Sequence, residues 1–179
     1  MSGLTCQTCK PAPLTIVSLG YFDENLRTII HDLKFYGLKP VAATLGYKLA
    51  DVILESVPLD YFDAIVPVPL HYSRLEKRGF NQAEEIALSI GACLNIPVYS
   101  NLLIMTRKTK QQARLSASER ILNVCDAFTV KDETGILQGK KILLVDDVTT
   151  TGATLLENCK ALKAAGAGKV ISAVAATAV

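Results

Sequence analysis

No stretch of this chain is apolar for long enough to cross a membrane. The longest, Val170 to Val179, falls well short of the ~20 residues that a spanning helix requires. A charged-then-apolar leader is also lacking at the N-terminus, so an exported protein is not expected. Charge of one sign is scarce as well: 19 Lys and Arg against 17 Asp and Glu leave +2. Nucleic-acid binding by bulk charge is thereby excluded, and any such binding has to come from a local patch. Aromatic residues make up only 6% and tryptophan is absent, which leaves few side chains for base stacking beside the basic loops. With 11 Gly, 7 Pro and a mean hydropathy of +0.29, the chain is neither disordered nor of low complexity. Its 179 residues suit one domain with a self-sufficient core, expected to be soluble and cytoplasmic, without membrane insertion.

Five cysteines, an odd number, do not make a disulfide framework in a chain without an export signal. Cys93, Cys125 and Cys159 stand singly in apolar-patterned segments, as small buried hydrophobes do. Cys6 and Cys9 have the spacing of half a tetrahedral zinc site, but no second pair follows to close it.

Short apolar strands alternate with amphipathic helices. Thr15–Phe22 is β-branched and aromatic, Asp23 caps a helix that ends at Gly37, and a second helix runs from Pro40 to Leu54. Ala64–Val68 is a buried strand stopped by Pro67 and Pro69. A polar, basic loop, His71 to Arg78, leads to a helix from Asn81 to about Leu94. Further strands are expected over Val98–Met105, Lys141–Val145 and Val170–Val179, with helices over Ser116–Val124 and Ala153–Ala165. The pattern predicts an α/β fold whose central sheet is mostly parallel and covered on both faces. Three parts are expected: a flexible N-terminus over 1–14, a small hood of one strand and two helices over 15–60, and the core over 61–179.

The most informative stretch is the strand Ile142–Val145 followed by Asp146, Asp147, Val148, Thr149, Thr150, Thr151, Gly152, Ala153 and Thr154. It delivers two acids to the carboxyl end of a buried strand, where open α/β sheets bind ligands. The small hydroxylated loop behind them leads straight into a helix, presenting amides and hydroxyls to an anion. Acids beside an anion site suit a sugar phosphate: carboxylates accept from vicinal hydroxyls and the loop holds the phosphate. A Walker loop is excluded, because no Gly-Lys-Ser/Thr is present at the glycine.

This segment resembles the phosphoribosyl pyrophosphate motif of type I phosphoribosyltransferases. The resemblance implies that Asp146 and Asp147 hold the ribose hydroxyls and that Thr149 to Thr154 hold the 5′-phosphate. Thr150 stands where many 6-oxopurine enzymes carry an acidic base, which argues against that kind of purine salvage. Val66-Pro-Val-Pro69 with Arg74–Ala83, Arg107–Ser116 with Glu119-Arg120 and Asn123–Phe128, and His31–Gly37 are similar to segments of the ComF family. Members of that family usually begin with a four-cysteine zinc module, so Cys6 and Cys9 imply a truncated or reduced one.

The resemblance further implies a phosphoribosyltransferase-domain protein that binds phosphoribosyl pyrophosphate and Mg²⁺ and is linked to DNA uptake, working with the competence machinery. The alternative is an active nucleobase or nucleotide phosphoribosyltransferase of salvage or biosynthesis. Mg²⁺ is expected to be held through the ribose and pyrophosphate oxygens rather than by a protein cage. Pro69 and Leu70 with Arg74, Lys77 and Arg78 are the expected pyrophosphate loop. Arg107, Lys108 and Gln112 belong to a basic segment suited to a lid, or to a track for single-stranded DNA. His71 is a candidate base beside the first loop, and a homodimer is among the expected assemblies.

Overall fold

The structure, a computed structural model, describes residues 14–58, 60–107, 109 and 117–178. Cys6, Cys9, Lys108 and Gln112 lie outside the described residues. Four parallel strands form the central sheet: β1 (Ile16–Ser18), β2 (Ala64–Pro67), β5 (Lys141–Thr149) and β6 (Lys169–Thr177), in the order β1-β6-β5-β2. A separate antiparallel ribbon pairs β3 (Leu103–Met105) with β4 (Phe128–Val130).

The strand β5 shows why an unbroken apolar run works here. Side chains alternate across a strand, so Leu143 and Val145 enter one core and Ile142 and Leu144 the other. The first core is closed by α1 (Glu24–Tyr36), α2 (Lys39–Ser56) and α4 (Gln82–Leu94), through Leu33, Leu49, Ile86 and Ile90. On the opposite face α6 (Ala153–Ala164) supplies Leu155 and Leu162, and the ribbon adds Leu103.

Helix boundaries follow the capping chemistry. Asp23 accepts from the Leu26 amide at 2.8 Å, and Gly37 ends α1 with φ 65°. Asn81 caps α4 by accepting from the Ala83 amide at 3.1 Å.

Several boundaries differ from expectation. The segment 71–78 is not a loop: His71 caps a short helix, α3 (Tyr72–Arg78), and Gly79 closes it in the left-handed region at φ 79°. Its residues are helix formers without a buried face, so hydrophobic periodicity could not reveal it. The expected strand Val98–Met105 reduces to β3 and a single bridge from Val98 to Ile65. The strand assigned to the hood is an edge of the central sheet, paired with β6. The short strand β4 has no counterpart among the expected elements. Finally, β5 runs past Val145 through both acids to Thr149.

Candidate functional site

The β2–β5 ladder ends at the bond from the Val68 amide to the Val145 carbonyl. The next β5 amide on that side, Asp147, has no strand partner and donates to Asp146 Oδ1 at 2.8 Å. Beyond the ladder the sheet opens into a cleft of about 600 Å³. Its walls include Pro69, Leu70, Arg74, Lys77, Arg78, Asp146, Asp147, Thr150 and Thr154 from the expected site. These side chains come from α3, β5, α6 (Ala153–Ala164) and their connecting loops, and they converge at the carboxyl end of a parallel sheet, as the strand-end rule requires.

The acids point to opposite faces because they are adjacent on a strand. Asp147 shares the side of Leu143 and Val145, toward α1, and there it meets Lys34 with Nζ 2.7 Å from Oδ2. That lysine comes from the last turn of α1, far from the acids in sequence. It follows Leu33, whose burial anchors the last turn of α1 over the cleft.

Burial, and then the charge of Asp147, push the Asp146 carboxyl up to about 8; the Asp147 amide and Lys34 oppose the shift. Asp146 keeps some contact with solvent, which bounds how far burial alone can push it. A raised carboxyl means that the native chain binds more protons than the unfolded one between the ordinary carboxylate value and about 8. Stability therefore falls as pH rises through that window, by at most about 1.4 kcal/mol per pH unit for one proton. Asp146→Asn should flatten this slope, which denaturant unfolding at pH 5 and pH 8 measures. An equally steep slope in the variant would assign it to other groups.

The loop after β5 leads into an uncapped helix start. Gly152 takes φ 73° and begins α6 with no side-chain cap, a conformation that glycine adopts without strain. An uncapped helix start offers amides and the positive end of the helix dipole. Thr150 and Thr154 line the cleft. Thr149 is instead buried, with its carbonyl accepting from the Ala178 amide at 2.8 Å, and the Thr151 hydroxyl accepts weakly from the Ala153 amide at 3.4 Å. Gly152 and Ala153 shape the turn and do not line the cavity.

Opposite the loop, α3 contributes Arg74 and, in its last turn, Lys77 and Arg78. Burial first, and then the charge of Arg78, lower the Arg74 guanidinium from its ordinary value. Cations crowded against each other in a half-buried wall favour an anion between them. Arg74 Nη2 also donates to the Thr109 carbonyl at 3.0 Å, tying α3 to the next basic segment.

Arg107 and His71 depart from their expected places. Arg107 donates to the carbonyls of Asn123 and Cys125 at 3.3 and 2.8 Å, behind α5 (Ala117–Val124), and does not line the cleft. His71 is buried, its Nδ1 accepts from the Ser73 amide as a helix cap, and it does not line the cleft. Sequence reasoning missed Lys34, Phe35, Phe80 and Gln82 as cleft residues. The segment His31–Gly37 was the available signal for the first two.

The model of the phosphoribosyl transferase domain family matches residues 35–178. Competence protein F of Haemophilus influenzae is 31% identical over 168 residues, covering 92% of this chain and 73% of that protein. DNA utilization protein YhgH of Escherichia coli K12 is 34% identical over 175 residues, covering 94% and 76%. Competence protein ComFC of Bacillus subtilis is 30% identical over 134 residues, covering 75% and 52%. Among solved structures, Leishmania donovani UMP synthase aligns over 83% of this chain and 24% of its own, at 20% identity and a TM-score of 0.44.

Proposed function

The chain belongs to the phosphoribosyl transferase domain family, in the branch that holds competence protein F, ComFC and YhgH, and from that premise we propose that it binds phosphoribosyl pyrophosphate with Mg²⁺ in the cleft, in a role tied to DNA uptake. One observation carries this reading: the paired strand-end acids, Thr150 and Thr154 flanking an uncapped helix start, and the cationic residues of α3 share one cavity. Ribose hydroxyls would donate to Asp146 and Asp147. The 5′-phosphate would sit against Thr150 to Thr154, and the pyrophosphate against Arg74, Lys77 and Arg78. Two hard carboxylates, Asp146 and Asp147, line the same cleft, and hard oxygen donors suit Mg²⁺. Asp146 and Asp147 would hold it through the ribose oxygens, and it would offset pyrophosphate charge there. Among the described residues no helix is long and apolar enough to cross a membrane.

Calorimetric titration with phosphoribosyl pyrophosphate tests the reading. Saturable binding that strengthens at least tenfold with Mg²⁺ is expected. No binding in either condition would remove the phosphoribosyl site.

Single-stranded DNA has its own supporting observation. Phe35 lines the cleft and is 66% exposed, and Tyr36 and Tyr72, 71% and 67% exposed, lie on the two helices that carry Lys34 and Arg74; exposed aromatics with cations are the composition of a stacking platform. Such binding should weaken with salt at a slope of about −0.7 per phosphate neutralised. It should also compete with phosphoribosyl pyrophosphate for Lys77 and Arg78. Salt-independent affinity would reject this reading.

A further inference from the structure

Cations also gather at the other end of the sheet. Its parallel strands all start on the edge remote from the cleft, and there β5 and β6 begin with Lys141 and Lys169, which are register partners. Neighbouring strands lie about 4.8 Å apart, and alternate residues share a face. The two lysines therefore stand side by side on the face of Leu143, Val145, Ile171 and Ala173. Both reach one ring: Lys141 Nζ lies 4.9 Å and Lys169 Nζ 5.2 Å from the Tyr61 centroid. Packing against the first core and an edge contact to Phe62 at 5.0 Å hold that ring in place.

Like charges on paired strand positions repel, and no carboxylate offsets them here. Among the described residues neither lysine forms an ion pair. Asp63 is already engaged: its Oδ2 accepts from the Lys141 amide at 2.8 Å, and its Oδ1 faces Lys140 Nζ at 3.9 Å. Asp60, beside Tyr61 in sequence, is exposed and joins no ion pair among these residues. A third ammonium, that of Lys163, donates to the carbonyl of Gly168, one residue before Lys169. The Tyr61 face attracts the cations but carries no net charge to neutralise them.

We propose that this edge is a second anion site, for phosphate oxygens, separate from the cleft. Lysine ammonium groups are compact point charges that bind phosphate without a fixed fork geometry. The Tyr61 ring already faces two ammonium groups, so phosphate rather than a stacked base is the group recognised. Free phosphates and a nucleic-acid backbone share that chemistry. The strand β5 runs from Lys141 to Asp146 and Asp147 and on to Thr149, so the two sites lie at opposite ends of the sheet and fill independently. The inference does not depend on the phosphoribosyl reading.

Titration of the full chain at low salt, followed through backbone amide chemical shifts, tests it with two probes, inorganic pyrophosphate and a short oligothymidylate. The amides of Ala64, Ile142 and Val170 should shift saturably. Lys141→Gln with Lys169→Gln should weaken that response by about tenfold or more, as loss of charge-assisted contacts does. Should this pair not fold, Lys169→Gln alone should weaken it several-fold. Arg27→Gln with Lys48→Gln makes the same change in net charge on α1 and α2 and should leave the response unaltered. Much tighter binding of the oligomer identifies a nucleic-acid strand as the source, and comparable affinities identify free phosphate; both uphold the site. No saturable shift with either probe overturns the inference. So does an equal loss in the charge-matched variant, since the attraction would then be one of bulk charge.

Discussion

Replacing Asp146 and Asp147 together by asparagine is expected to weaken phosphoribosyl pyrophosphate binding by roughly 10²–10⁴-fold. Each acid would accept from ribose hydroxyls, and a hydrogen bond to a charged group contributes about 1.5–3 kcal/mol. The fold should survive, and near pH 8 it should gain stability, because Asp146 sits in a place that penalises its charge. Lys34 loses its carboxylate partner in this variant, but it is partly exposed and water can replace that contact. Loss of affinity with retained or increased melting temperature separates a binding role from a structural one. Unchanged affinity in the folded variant would remove the acids from the site, and collapse of the fold would make them structural.

Gly46→Val should lower the melting temperature by roughly 6–12 °C. The α2–α4 crossing is close at this point: a Cβ on Gly46 would lie 2.5 Å from Ser89 Cβ and 2.8 Å from the Ile86 carbonyl oxygen. Both neighbours belong to α4 close to its backbone, so neither can swing aside as a flexible side-chain tip would. Overpacking of this kind costs about 3 kcal/mol at the upper end of its usual range. For a domain of this size each kcal/mol is about 2–4 °C. Since α4 begins with the cap at Asn81 and carries Gln82 into the cleft, displacing it should weaken ligand binding as well. A melting temperature within 2 °C of wild type would mean that the helices separate freely and that the close packing is incidental.

Much of the fold was legible because its signals are local. Asp23, Gly37 and Asn81 are cap residues acting where they stand, and the apolar run of β5 is buried on both faces. The acids and the Thr/Gly loop were likewise readable, since the chemistry lies in consecutive residues. Lys34 and Gln82 were not. Each lies in a segment marked only by family resemblance, and its place becomes clear when the sheet brings α1 and α4 to one cleft. α3 escaped detection because it has no buried face, and the role of His71 depended on it. Arg107 shows the converse. Its charge suited a lid, but nearby carbonyls at the end of α5 hold its guanidinium, and basic composition alone does not reveal where a long side chain will point.

The central claim is one of position, so a crystal structure of the chain with phosphoribosyl pyrophosphate and Mg²⁺ tests it most directly. The account predicts ribose hydroxyls on Asp146 and Asp147, the 5′-phosphate at Thr150 to Thr154, and Lys34 drawn off Asp147. A ligand held only by Arg74, Lys77 and Arg78, with the Lys34–Asp147 pair still closed, would contradict it.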